Sequence, residues 1–144
     1  MAVHIYPFYK ISDEIIRPWI PITIINPING SKIGLFALLD TGADHCVFPK
    51  AVVDQLGLDL KTGPLEVMQG LAEHKIEVWK HNFKIELQSP DRRSIIWKGK
   101  DTIVGCVEHD NIPAILGFSN FMCHFKITFN HGTKKILIDD HPKV

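Results

Sequence analysis

The sequence predicts an all-β fold, and three observations carry that prediction. Apolar, β-branched residues recur in short runs of four to eight, the length of strands rather than of helices. Turn residues separate these runs at short intervals, as in a sandwich or barrel. Only two segments, Pro49 to Leu56 and Phe118 to Cys123, carry helical signals, and both are short. A chain of 144 residues with 45% apolar and 22% charged residues suffices for one compact domain. No linker or repeat divides it, so residues 1–144 are expected to form a single domain with its core over about 18–138.

Along the chain, Trp19 to Ile25 and Lys32 to Leu39 form the first pair of strands. They are joined by Asn26-Pro-Ile-Asn-Gly-Ser31, where Asn29-Gly30 supplies the positive φ angles of a hairpin. Leu35-Phe-Ala-Leu-Leu39 is continuously apolar, which predicts burial on both faces. Pro49 starts a short amphipathic helix that presents Val52, Val53 and Leu56 and stops at Gly57. Strands then follow at Leu65 to Gln69, Ile76 to Trp79, Phe83 to Leu87, Ser94 to Lys98 and Thr102 to Val107. The second helix, Phe118 to Cys123, follows Gly117, and a last hairpin joins Cys123 to Phe129 with Lys134 to Ile138.

Charge and motif content exclude several function classes. Sixteen basic residues balance sixteen acidic ones, so no global field holds a nucleic acid or an anionic membrane. No apolar run reaches the roughly 18 to 20 residues of a membrane span, and Met1 to Lys10 lacks the pattern of a secretory leader. These features predict a soluble, cytoplasmic protein, and the opening Met1 predicts a free-standing one. The His and Cys residues show no paired zinc-ligand spacing, Gly57 to Gly63 is no phosphate loop, and Gly117-Phe-Ser119 lacks the second glycine of a nucleophile elbow. No metal and no cofactor is expected. Cys46, Cys106 and Cys123 are expected as buried thiols, and Trp19, Trp79 and Trp97 as core or rim packing rather than a base-stacking platform.

The chemistry-bearing element is Asp40-Thr41-Gly42-Ala43-Asp44, which ends the apolar run at Leu39. A carboxylate at the end of a buried strand is partly desolvated, and Gly42 lets the chain turn tightly beside it. Alone, such a tripeptide is an ordinary turn. Roughly 75 residues downstream stands Ala114-Ile115-Leu116-Gly117, a second apolar run that ends in glycine.

Together, Leu38-Leu39-Asp40-Thr41-Gly42-Ala43 and Ile115-Leu116-Gly117 resemble the retropepsin-like (retroviral-type) aspartic proteases, in the family's order and at a compatible distance. The resemblance runs from about Pro18 to Ile138. It implies a closed β-barrel, one half of an acid protease, with one or two short helices. It implies a catalytic Asp40 supported by Thr41 and Gly42, and substrate contacts from Gly42, Ala43, Asp44, Gly70, Leu71 and Ile115. Thr41 would hydrogen-bond across a dimer, and Gly42 would offer its carbonyl to the substrate backbone.

The chain holds one Asp-Thr-Gly, because Asp101-Thr102 continues into Ile103. The implied mechanism needs two carboxylates, so the active unit is expected to be a homodimer with one Asp40 from each copy. Such a pair shares one proton and titrates as a unit, which favours mildly acidic pH; the expected partner is a peptide or protein substrate. Two departures stand out. Phe118 occupies the place where retroviral relatives carry an Arg that pairs with the residue at Asp44. The covering hairpin, Val67 to Lys75, has Gly70 as its sole glycine. These departures sustain an alternative, a catalytically inactive dimerisation or peptide-binding module of the same fold. An unrelated β-barrel binding protein would need both motifs to be accidental. Val3 to Tyr6 and Lys135 to Ile138 are expected either to interleave between two copies or to form edge strands within one.

Overall fold

In the computed structural model of the chain, residues 3–69 and 74–140 are described. Strands β1 (Val3–Pro7), β2 (Tyr9–Lys10), β3 (Ile16–Arg17), β4 (Trp19–Ile25), β5 (Lys32–Leu39) and β6 (Val47–Pro49) precede helix α1 (Lys50–Gln55). There follow β7 (Leu65–Gln69), β8 (Lys75–Gln88), β9 (Ile95–Lys98), β10 (Thr102–Val107), β11 (Ile115–Leu116), β12 (Lys126–Asn130) and β13 (Lys135–Asp139).

The main sheet closes on itself. Its order is β10-β6-β11-β5-β4-β8, and β8 pairs back onto β10, so six strands form a hydrogen-bonded ring; β7 and β9 extend β8 beyond it. Alternation fills the interior: Ile20, Ile22 and Ile24 of β4 and Phe83, Ile85 and Leu87 of β8 are buried. Parallel pairing enters where β11 lies against β5 and β10 against β6. A separate three-stranded sheet, β1-β13-β12, buries Tyr6, Ile136 and Ile138. Both terminal segments thus pair within one chain, Tyr6 opposite Ile136.

Several sequence expectations change. Ile76 to Trp79 and Phe83 to Leu87 are two parts of one 14-residue strand. The polar step Lys80-His81-Asn82 is no turn, because Trp79 to Phe83 pair continuously with Thr102 to Cys106. Its polar side chains have partners of their own: Lys80 Nζ lies 3.2 Å from Glu66 Oε2, and His81 Nε2 is 2.7 Å from the Leu60 carbonyl. The second helix does not form. Residues 118–121 make turns, followed by a single 3-10 turn at Met122–His124, and the strand expected from Cys123 begins at Lys126.

The stretch Leu35 to Leu39 is not buried on both faces. Ala37 and Leu39 are buried while Leu35, Phe36 and Leu38 are half-buried, with the Tyr9 ring tilted against Phe36, centroids 4.6 Å apart. In the first hairpin Gly30 alone takes a positive φ, and Gly30 N–H donates to the Asn26 carbonyl, closing a wider turn than a two-residue loop. The Asn26 and Asn29 side chains cap α1 by donating to the Leu56 carbonyl at 2.9 and 3.2 Å. Cys46 and Cys106 are buried, but Cys123 is exposed.

Candidate active site

Asp40 sits where β5 leaves the barrel, and backbone bonds to β11 fix it there. Leu38 N–H donates to the Ala114 carbonyl at 2.9 Å and Asp40 N–H to the Leu116 carbonyl at 3.1 Å. Beyond this point the chain turns on itself. Gly42 N–H donates to Asp40 Oδ1 at 2.9 Å, and Ala43 N–H donates to the Asp40 carbonyl at 3.1 Å. The first bond sets the plane of the carboxyl and satisfies one of its oxygens, so the Asp40 side chain is held rather than free to rotate. Asp40 is half-buried, while Thr41 and Gly42 are exposed.

The turn after β11 grips the other limb of this loop. Phe118 N–H donates to the Ala43 carbonyl and Ser119 N–H to the Asp44 carbonyl, both at 2.9 Å. Asn120 Oδ1 accepts the Cys46 N–H at 2.7 Å, while Asn120 Nδ2 reaches Thr102 Oγ1 at 2.7 Å and the Ile103 carbonyl at 3.0 Å. Gly117 is required by close approach. A Cβ there would lie 2.4 Å from the backbone carbon and oxygen of His45. Gly117 N–H points instead at Cys46 Sγ, 3.3 Å away. Burial pushes the Cys46 and Cys106 thiols up to about 12, so neither supplies a thiolate near neutral pH.

Beside the loop lies a groove of about 490 Å³. Gly42 to Val47 form one wall, and Met68, Ile76 and Val78 of the β7/β8 hairpin form the wall facing it. Opposite residues of an antiparallel pair share a face, so Met68 and Ile76 turn together toward the groove, which Gln69 and Lys80 also line. Leu65 and Val67 turn away from it. Val107, His109 and Ile112 close the end.

The structure therefore unites Asp40, Thr41, Gly42, Ala43 and Asp44 in one loop, with Gly42, Ala43 and Asp44 on the groove. Ile115 is not among the residues lining the groove; it sits between Leu38 and Val47 in the sheet, half-buried. Gly70 and Leu71 lie outside the described residues. Sequence reasoning missed His45, which lines the groove and whose Nδ1 is 2.6 Å from Ser119 Oγ. That hydroxyl also reaches the Asp44 carbonyl at 2.7 Å, so it orients the loop as well as the imidazole. No described carboxylate is hydrogen-bonded to His45, and the pair is not a hydrolase triad. Asn120, also missed, is legible only as a polar residue three positions beyond a required glycine.

Residues 24–119 match the aspartyl protease family model. Among solved structures, the chain is similar to a retropepsin-like aspartic protease from Rickettsia conorii. That match has 17% identity and a TM-score of 0.61, and it covers 95% of this chain and 90% of that one. It is also similar to the retroviral protease-like domain of Ddi1 from Leishmania major, with 16% identity, a TM-score of 0.55, and coverage of 87% and 90%. At such identities these likenesses speak for the fold, a retropepsin-like β fold. No curated protein sequence matches the chain.

Proposed function

The chain belongs to the aspartyl protease family, and from that premise we propose that it is an endopeptidase whose active unit is a homodimer, with Asp40 contributed by each copy. The observation that carries this reading is the held carboxyl. Asp40 is fixed through its own N–H by Leu116 and through Oδ1 by Gly42 N–H, which presents it in one orientation at an exposed loop. One such carboxyl is half of a general acid and base pair.

Two carboxyls brought within a few ångströms cannot both ionise cheaply, so they share one proton. The ionised member takes a proton from a water lying between them. The protonated member donates to the scissile carbonyl, and water adds to give a tetrahedral intermediate without a covalent enzyme adduct. Collapse returns a proton to the leaving amine. The groove between the Asp40 loop and the β7/β8 hairpin then receives a substrate side chain, which its Val47, Met68, Ile76 and Val78 lining makes predominantly apolar.

The inactive-module reading is favoured by one feature: the groove is complete without the Asp40 side chain. Cleavage of a diverse peptide mixture from about pH 4 to 7, wild type beside Asp40→Asn, separates the two. Cuts made by wild type and absent in Asp40→Asn support the endopeptidase. Peptides retained by both and cut by neither would support the module.

A further inference from the structure

A second cavity, of about 430 Å³, opens between the segment joining β9 to β10 and the turn after β11, and it shares no lining residue with the groove beside Asp40. Part of its lining is aromatic and fixed. The half-buried Trp97 ring packs edge-on against Phe121 and Phe125, centroids 5.6 and 4.9 Å apart, and the His124 ring lies 5.2 Å from it. Gly99 is pinned beside the same ring: its N–H donates to the Ile85 carbonyl at 2.9 Å, and a Cβ there would come within 2.7 Å of Trp97 Cη2. Lys98 and Lys100 flank this glycine, and both line the cavity. Among the described residues neither lysine is in an ion pair. Thr102 Oγ1 accepts Asn120 Nδ2–H at 2.7 Å, and its own O–H has no acceptor among the described residues. The carboxylate on the lining, Asp101, lies 3.7 Å from Nζ of Lys84, which is outside the lining and offsets its charge.

We propose that this cavity is a second binding site, one that takes a small planar ring carrying an anionic group, a carboxylate or a phosphate. The ring lies on Trp97 beside His124, and the anionic group takes the two lysine ammoniums and the Thr102 hydroxyl. The volume falls within the range of small-molecule sites, about 300 to 1,000 Å³. Two cations without carboxylate partners and a hydroxyl with a proton to donate call for an acceptor that bears charge. A fixed aromatic face beside them calls for a flat apolar body. None of this involves Asp40, so the site stands or falls apart from the peptidase reading.

The test is titration of the full chain with phenyl phosphate and with benzoate, followed by NMR at the Trp97 indole N–H and the His124 ring. At least one of the two should shift these signals saturably, with a Kd below about 10 mM. The tighter of the pair assigns the anionic group as phosphate or carboxylate. Inorganic phosphate and benzyl alcohol, each with half of the chemistry, should bind roughly tenfold more weakly or worse. Lys98→Gln combined with Lys100→Gln removes two exposed charges; the melting temperature should hold while affinity falls roughly tenfold. Asp40→Asn should bind as wild type does. Raising NaCl tests the same contact without mutation, because affinity that depends on the lysines falls with salt. Saturation by neither anion below about 10 mM overturns the proposal, as does affinity indifferent to both the lysine changes and salt. Shifts centred on Met68 and Ile76 instead would put the anion in the groove and also overturn it.

Discussion

The two walls of the groove are built differently. The Asp40 loop is tied to β11 and the turn after it by a chain of short bonds running from Leu38 to Cys46, and it rests on buried Cys46, Leu39 and Leu116. The β7/β8 hairpin opposite has every residue of β7 exposed, and the first three residues of β8 likewise. Among the described residues, β7 is tied to β8 by its ladder and by the Lys80–Glu66 ion pair. The Asp40 wall is held by many bonds from a distant segment, whereas the described residues of the hairpin wall are largely exposed.

The difference predicts a graded set of mutational effects. The largest falls on the tied wall: Gly117→Ala drives a Cβ into the His45 backbone and should destabilise the fold by about 3 kcal/mol or more in denaturant titration. Asn120→Ala removes the acceptor of Cys46 N–H and two donated bonds; unfolding should cost about 1 to 3 kcal/mol less, with cleavage reduced at saturating substrate.

Cys46 gives a pH signature on the same wall. Burial raises its thiol from an ordinary 9.0 to about 12. The folded pKa lies above the unfolded one, so the fold favours the neutral thiol. The associated stability is complete below about pH 9 and is lost as pH climbs toward about 12. Cys106 behaves alike. Alkaline melting curves should show this decline, and Cys46→Ala should make it shallower.

The smallest stability effects belong to the hairpin. Met68→Ala should change unfolding by less than about 0.5 kcal/mol while weakening substrate capture by roughly tenfold, seen as a raised KM at unchanged kcat. Amide exchange sharpens the contrast without mutation. The amides of Leu38, Asp40, Cys46 and Phe118 should exchange slowly and those of β7 fast; equal rates on the two walls would remove the distinction.

The site was legible where its signal is local. Asp40-Thr41-Gly42 and Ile115-Leu116-Gly117 each announce an apolar strand ending in a turn, and the structure sets these strands side by side in parallel. What sequence reasoning missed depends on long-range pairing. Lys80-His81-Asn82 reads as a break, since nothing local reveals that β10 arrives to pair with it. Phe118 to Cys123 reads as a helix because its competitor, Asn120 bonding across to Cys46 and Thr102, joins residues 74 and 18 positions apart. His45 was passed over for a related reason: its place on the groove is set by Ser119, again from the far segment. The terminal strands left two pairings open, and Tyr6 chose burial within the chain, its hydroxyl donating to the Gln88 carbonyl at 2.6 Å.

The central claim is that one active site draws an Asp40 from each of two chains, and mixing tests it most directly. Wild type and Asp40→Asn would be combined at equal concentration, allowed to exchange subunits, and assayed for cleavage of one peptide at constant total protein. If both carboxyls are needed, only pairs with two wild-type chains cut, and activity falls to about a quarter of that of wild type alone. If each chain works by itself, activity falls to about half, and the shared pair is contradicted.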